Sequence, residues 1–421
     1  MLTQAPKGTK DILPAQSGKW QYIEAVIRDI CAKFGYSEIR TPVFEHTELY
    51  LRGVGDTTDI VQKEMYTFLD KGQRSITLKP EGTAGVVRSF IENKLFAEAQ
   101  PTKMYYLSTP VFRYERPQAG RLREHHQFGI EVFGAAGPSI DAEVISVALS
   151  LFDTLHIKDL KLNINSIGCK ACRPQYNAAL RDFLRQNASD LCKTCRERMV
   201  ANPLRTLDCK EEGCNKVLDG APVMLDYLCE GCHTHFKGLK TRLESAGIDY
   251  TVNPFIVRGL DYYTKTVFEI ISTGIGAQGT VCGGGRYDGL VEEIGGPPTP
   301  GIGFGLGIER LLLVLESLGI NLPATEKTDI YVCTLGETAN IEGFCIAAKL
   351  RKMGIKADVD HMGRSLKAQL KYANKTGASR VIIIGEDEIK KGVAVVRDMK
   401  NSTENIVPLK ELNELIKAGL Q

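Results

Sequence analysis

The chain has 421 residues, 43% apolar and 25% charged, with 53 Lys and Arg against 51 Asp and Glu, a balance of +2. Length and composition suit two or three globular domains, and the near-neutral charge excludes a global basic field, so any nucleic-acid surface must be a local patch. No apolar run reaches membrane-spanning length and the opening MLTQAPKGTKDILP lacks the basic-then-apolar order of a signal peptide, which predicts a cytoplasmic protein with no membrane partner.

Residues 7–13 show no periodicity and read as a loop. From Ser17, a plausible N-cap, Trp20, Ile23, Val26, Ile27, Ile30 and Phe34 recur at helical spacing until Gly35. Residues 36–45 read as a strand interrupted by Pro42, which cannot donate to a central ladder. Short strands follow over Glu64–Leu69 and Ser75–Leu78 around a turn at Lys71 and Gly72. Pro80 and Gly82 then break the chain, and Thr83 is placed to cap a helix through Ile91. Glu81 at that junction can accept hydrogen bonds from an ammonium group or lie solvated in the turn.

Residues 109–134, TPVFRYERPQAGRLREHHQFGIEVFG, read as a long β-hairpin. A strand near Pro110–Tyr114 leads to an arginine-rich loop around Pro117–Gly120, and a returning strand runs through Phe128, Ile130 and Val132. Alternation puts Gln127, Gly129 and Glu131 on the opposite face, beside the Arg113 guanidinium, whose fork matches phosphate oxygens. Taken alone, the same charges suit an ion-paired surface equally well.

Asp141–Leu155 reads as an amphipathic helix and Leu160–Ser166 as a strand. After Gly168 the character changes: eight of the twelve cysteines fall in four pairs, Cys169/Cys172, Cys192/Cys195, Cys209/Cys214 and Cys229/Cys232. With no export signal these are not a secreted disulfide framework. Four thiolates hold one tetrahedral zinc, so eight can serve two structural sites, with buried free cysteine as the other reading.

A helix over Phe236–Ala246, a strand over Tyr250–Pro254 and a strand over Thr266–Ile271 follow, the last preceded by Arg258, Asp261, Tyr262 and Tyr263 in RGLDYYTKTVFE. Gly283–Gly285, in CGGGRYDG, permit close approach of another backbone or a ligand. Gly274, Gly276 and Gly279 match G-x-G-x-x-G, but Thr280–Cys282 looks extended where a dinucleotide site needs a helix, so the stretch reads as a glycine-rich hairpin. Gly301–Gly319 reads as a glycine-rich strand entering an apolar helix in which Arg310 is the strong cation, by default solvated or paired.

A polar linker, Asn321–Thr328, precedes strands at Ile330–Thr334, Lys356–Val359, Arg380–Ile384 and Val393–Arg397. They alternate with helices at Ile341–Met353, Ser365–Lys375 and Leu409–Ala418. Between Lys349 and Arg380 there are nine Lys or Arg and two Asp, and Lys367, Lys371 and Lys375 share one helical face, a solvated face or a polyanion-binding one.

Phe112–Arg116 with the following HHQFGIEVFG resembles motif 2 of the class II aminoacyl-tRNA synthetases, residues 36–45 with the preceding helix resemble motif 1, and residues 301–319 resemble motif 3. RGLDYY and GGGRYDG resemble the two signatures peculiar to the histidyl-tRNA synthetase family. The resemblance implies an α+β catalytic core with a mainly antiparallel mixed sheet over 1–320, interrupted by a small cysteine-rich inserted domain at about 169–240. It also implies a C-terminal α/β anticodon-binding domain over 327–421.

It implies ATP with Mg2+ as substrate, with Arg113 and Arg258 on the α-phosphate and Arg310 on the γ-phosphate. Glu81 and Thr83 would receive the α-amino group of L-histidine, and Gln127, Glu131, Tyr262 and Tyr263 would complete its pocket. Arg116, Arg121 and Arg123 would contact the acceptor end of histidine tRNA, Lys367, Lys371 and Lys375 its anticodon arm, and motif 1 implies a homodimer. Two other readings are a histidine-sensing regulatory paralogue controlling a phosphoribosyltransferase and a zinc-stabilised tRNA-binding protein without catalysis. The intact signatures and residues 327–421 speak against the first, and the intact arginines against the second.

Overall fold

Alternating apolar and small residues build one large sheet in the computed structural model, which describes residues 3–55, 58, 60–117, 120, 122–272, 279–323 and 328–412. The chain forms two units, the first of residues 1–13 and 19–323 and the second built on residues 324–421. Strands of the first unit are β1 (Ser37–Glu38), β2 (Phe44–His46), β3 (Thr67–Leu69), β4 (Ser75–Leu78), β5 (Thr102–Phe112), β6 (Glu124–Phe133), β7 (Leu160–Ser166), β8 (Thr251–Val252), β9 (Thr264–Ser272), β10 (Thr280–Arg286) and β11 (Gly301–Gly307). Eight of them form one sheet in the order β1-β5-β6-β11-β10-β9-β7-β8, and β2-β4-β3 form a small one. In the large sheet β1–β5 and β7–β8 are parallel and the other neighbours antiparallel, the mixed, mainly antiparallel core that the sequence resemblance implied.

The two faces of this sheet have different work. Phe128, Ile130 and Val132 of β6, Phe304 of β11 and Phe268 of β9 point into the main core, where helices Pro14–Lys33 and Pro138–Thr154 cover them with Ile23, Ile27, Val144 and Leu151. Each such buried side chain contributes about 1.5–3 kcal/mol relative to exposure. Gln127, Gly129 and Glu131 take the opposite face.

Local readings fail where a distant partner overrides them. The first helix begins at Pro14, a turn before Ser17, because proline at its start is already set to helical φ and no side-chain cap is needed. The strand expected over residues 36–45 splits into β1 and β2, which lie in different sheets, with Pro42 in the break. Residues 60–64 form a π-helical turn, so the strand expected from Glu64 begins only at Thr67. The hairpin begins at Thr102, eight residues before Pro110, and absorbs an irregularity between Tyr106 and Thr109. The helix expected from Phe236 starts at Glu230, since Cys229 takes extended dihedrals at its N-cap.

The insertion is helical among its described residues, with Arg173–Gln186, Lys193–Ala201 and Glu212–Leu218 packed around Tyr176, Leu180, Leu184 and Met224. The second unit holds β12 (Ile330–Leu335), β13 (Ala357–Val359), β14 (Arg380–Gly385), β15 (Val393–Asp398) and β16 (Glu404–Pro408) in the order β13-β12-β14-β15-β16. The sequence reading missed β16 and the helix Glu386–Lys391, while most of the helix expected over Leu409–Ala418 lies outside the described residues.

Gly284 faces the core opposite Phe304, where an added Cβ would come within 2.6 Å of the Phe304 Cβ and 2.7 Å of its Cα. Backbone cannot yield there without parting β10 from β11. Gly284→Ala should therefore cost about 1–3 kcal/mol, read as a lower urea midpoint at unchanged slope. A wild-type midpoint would contradict the packing described.

Candidate active site

Glycine paves the face opposite the core. Gln127, Gly129 and Glu131 of β6 lie across from Gly307, Gly305 and Gly303 of β11, and the last two lie across from Gly283 and Gly285 of β10. Larger groups fill three of the vacated spaces: the Tyr106 ring stands over Gly129, the Glu131 carboxylate over Gly303 and the Arg258 guanidinium over Gly283. Gly305 remains open, its nearest neighbour in that direction being Gln127 Nε2 at 3.8 Å.

Around this open floor lies a hollow of about 280 Å3 lined by Arg113, Gln127, Arg258 and Arg310, with Glu115 and His125 at its wall. Each guanidinium is aimed by a partner behind it. Arg113 Nε donates to the Pro80 carbonyl at 2.9 Å, Arg310 Nη1 to the Thr280 carbonyl at 2.8 Å, and Arg258 Nη1 to Glu269 of β9. Segments almost two hundred residues apart thus meet at one anion-sized space. Glu115, two positions after Arg113, was not singled out in the sequence; its alternation with Arg113 was the available signal.

Glu131 ends the same face and is 1% exposed. Its carboxylate accepts from Thr83 Oγ1 at 2.7 Å, from the Tyr106 hydroxyl at 3.4 Å and from the Tyr287 hydroxyl. Burial raises the Glu131 carboxyl to about 8 even against these donors, and burial likewise holds the Tyr106 and Tyr287 phenols protonated. Glu81 is also buried and raised by burial, and it accepts from the backbone N–H groups of Thr83 at 2.8 Å and Ala84 at 2.7 Å. Glu81, not Thr83, therefore caps helix Thr83–Glu92, and the Thr83 hydroxyl is spent on Glu131. Tyr262 and Tyr263 are buried beside this cluster, their rings 4.7 Å apart, with Tyr287 edge-on to Tyr262 at 5.6 Å. Tyr106 escaped the sequence reading because it looks like an ordinary strand aromatic, and Tyr287, although within GGGRYDG, was given no role of its own.

The histidyl-tRNA synthetase family model matches residues 8–311, and an anticodon-binding-domain model matches residues 329–419. The chain belongs to the histidyl-tRNA synthetase family. A histidine–tRNA ligase of Caldanaerobacter subterraneus subsp. tengcongensis is 58% identical over 99% of this chain and 100% of its own length, and one of Acetivibrio thermocellus is 60% identical over the same shares. The apo histidyl-tRNA synthetase of S. aureus superposes with a TM-score of 0.84 at 41% identity, over 98% of this chain and 99% of that one.

The other residues singled out in this synthetase-family chain fall into separate places. Arg116 is exposed on the hairpin loop, and Arg121 lies outside the described residues. Arg123 is half-buried, its guanidinium 4.2 Å over the Tyr114 ring and its Nε 3.1 Å from the Glu115 carbonyl. Lys367, Lys371 and Lys375 are exposed on helix Leu366–Thr376 of the second unit, with Gln369 and Ala373 turned inward. Gly274 and Gly276 of the rejected dinucleotide pattern lie outside the described residues, while Thr280–Arg286 forms β10, extended as read.

The eight cysteines gather into two quartets, Cys169, Cys172, Cys229 and Cys232 in one and Cys192, Cys195, Cys209 and Cys214 in the other, with the sulfurs of each within 4.8 Å of one another. Outer pairs thus join each other and enclose the inner pairs, a connectivity that spacing leaves open.

Glu131 carries a sign that can be measured. An unfolded glutamate ionises near 4.5, whereas folded Glu131 keeps its proton to about 8, so the folded state binds more protons between those values and loses stability as pH rises through them. Unfolding free energies of wild type minus Glu131→Gln should fall by order of 1 kcal/mol per pH unit across that window. Parallel pH profiles for the two proteins would show that Glu131 does not titrate as described.

Proposed function

We propose that the chain ligates L-histidine to its tRNA in two steps at the glycine-floored hollow. The histidine carboxylate attacks the α-phosphorus of ATP in line, the bond to the β-phosphate oxygen breaks, and pyrophosphate leaves histidyl-adenylate. A ribose hydroxyl at the tRNA end then attacks the acyl carbon and AMP departs. The observation that carries this reading is the convergence of Arg113, Arg258 and Arg310 on one hollow beside the buried Glu131.

Phosphoryl transfer asks the protein for placement and for charge opposite the phosphoryl oxygens. Arg113 and Arg258 flank the α-phosphate and Arg310 meets the γ-phosphate, with Mg2+ supplying charge neutralisation on the outer phosphates. Glu131 accepts from an imidazole N–H while Tyr262 and Tyr263 wall the ring, and Glu81 and Thr83 face the α-amino group. Buried polar groups left unpaired by a wrong side chain reject it strongly. A regulatory role is not favoured, since the relatives that match end to end are ligases and residues 329–419 match an anticodon-binding domain. Lys367, Lys371 and Lys375 offer that domain's phosphate contacts, and Arg116 with Arg123 lies on the loop facing the acceptor end.

Dimerisation is supported by the small sheet, where Phe44 is 53% exposed, Phe68 48% and Leu69 61%, an apolar surface that a second copy would cover. Among the described residues no helix is long and apolar enough to cross a membrane.

Structural zinc in the insertion is supported by geometry. A tetrahedral site with Zn–S near 2.3 Å spaces its sulfurs roughly 3.8 Å apart. Cys169 lies 3.6 Å from Cys172 and 3.9 Å from Cys229, and Cys192 lies 3.9 Å from Cys209, far beyond a disulfide. Backbone N–H groups of Cys229 and Cys192 point at Cys172 and Cys214 sulfurs at 3.1 Å, as they do to thiolates.

Wild-type protein should catalyse histidine-dependent ATP–pyrophosphate exchange, and Arg258→Ala should lower it by about 2.7–4 kcal/mol of transition-state stabilisation, some hundredfold or more, while histidine still binds. Near-wild-type exchange in that variant would sink the arginine assignment. Elemental analysis should find two zinc ions per chain, and a chain purified under reducing conditions that holds none would remove zinc from the account.

A further inference from the structure

The inner cysteine quartet does more than close the insertion. Between Cys195 and Cys209 the chain runs out along helix Lys193–Ala201, turns at Asn202 and returns through the 3-10 segment Pro203–Asp208. The apex of that excursion reaches the RGLDYY stretch. Asn202 Nδ2 donates to Asp261 Oδ1 at 3.0 Å, and Arg205 Nη1 donates to the Arg258 carbonyl at 3.3 Å. Arg205 is itself buried, and Arg198 Nη1 donates to its carbonyl at 3.4 Å.

Two observations make this contact one of position and not of bulk packing. A cavity of about 340 Å3, lined by Arg173, Arg181, Asn202, Arg205, Arg258 and Asp261, lies between the apex and the RGLDYY stretch. The join is therefore made by a few polar groups that line a cavity, and its geometry depends on the stiffness of the excursion. That stiffness has an evident source, since both legs end on the same four sulfurs, with Cys192 accepting from the Cys195 N–H at 3.4 Å and Cys214 from the Cys192 N–H.

We propose that Asn202 and Arg205 are positioning residues for Arg258, held in place by a zinc ion on Cys192, Cys195, Cys209 and Cys214. The backbone of Arg258 is fixed from the insertion side, while its guanidinium enters the hollow on the other side and pairs with Glu269. Metal bound far from the reacting atoms thus sets where one α-phosphate ligand stands. The outer quartet, at the root of the insertion, serves as its fastening to the core. The proposal rests on the ligase reading, because the function of Arg258 is defined there.

The test uses full-length protein and reads zinc per chain, thermal midpoint, kcat for pyrophosphate exchange and KM for histidine. Arg205→Ala should keep both zinc ions and the wild-type midpoint and lose kcat about tenfold or more, with KM for histidine within about twofold, and Arg205→Lys should recover part of it. Cys209→Ser should bind one zinc ion and lose kcat to a similar extent. Wild-type kcat in Arg205→Ala overturns the positioning role, as does a loss accompanied by a lower midpoint and lower zinc content. Wild-type kcat in a Cys209→Ser protein that has lost one zinc ion overturns the metal's part alone, and absence of histidine-dependent exchange in the wild type overturns the ligase reading itself.

Discussion

Three guanidinium groups line one hollow, and like charges gathered there repel one another. A like-charge cluster of this kind cannot be assembled by the side chains themselves, so the rest of the fold has to hold it open. The Pro80 carbonyl, the Thr280 carbonyl and the Glu269 carboxylate each take one of the cations from behind, and each belongs to a strand or strand end of the core. Arginine suits the task because it stays charged through any environment the protein offers and because its planar fork carries five N–H donors. The glycine floor then follows from geometry: with any larger residue at Gly283 the Arg258 guanidinium would have nowhere to lie.

The neighbouring acid is governed by the opposite problem. Glu131 has been withdrawn from water, and three hydroxyls take the place of its hydration. That arrangement leaves it with a proton at neutral pH and gives it a reason to prefer a partner offering a polar N–H or a positive charge. Glu81 shows a second solution to the same burial, since it is held by the helix N-terminus that it caps, where backbone N–H groups and the helix dipole favour negative charge. Two buried carboxylates thus lie on adjoining elements, one held by hydroxyls and the other by backbone.

What could be read from residues alone tracks how local the controlling physics is. The alternation through Phe128, Ile130 and Val132 put Gln127 and Glu131 on the functional face, because a period of two in an antiparallel strand admits no other arrangement. Gly283–Gly285 announced a close approach without saying what approaches. Ser17 and Pro110 were misplaced as boundaries since a proline start and a sheet partner overrode the local preference, while the helix does start at Thr83 but is capped by the Glu81 carboxylate. Tyr106 and Tyr287 were invisible as partners of Glu131 because the hairpin register places the first and the end of β10, 156 residues away in sequence, places the second. The resemblance to known motifs supplied roles for residues, such as Glu81, whose surroundings alone left them open.

The cysteine connectivity shows the same limit and what lies behind it. Four pairs can be joined in three ways as two quartets, and sequence spacing does not choose among them. The nested arrangement is the one that brings the two roots of the insertion, beside the ends of β7 and helix Glu230–Ser245, to a common point while leaving an inner excursion free to reach outward. A sequential arrangement would tie each half of the insertion to itself and leave its roots unjoined. Nesting therefore separates two mechanical duties, anchorage at the base and stiffness at the apex, and it is the stiff apex that touches the backbone of Arg258. The cysteine-rich insertion is in this way joined by hydrogen bonds to the segment that carries Arg258.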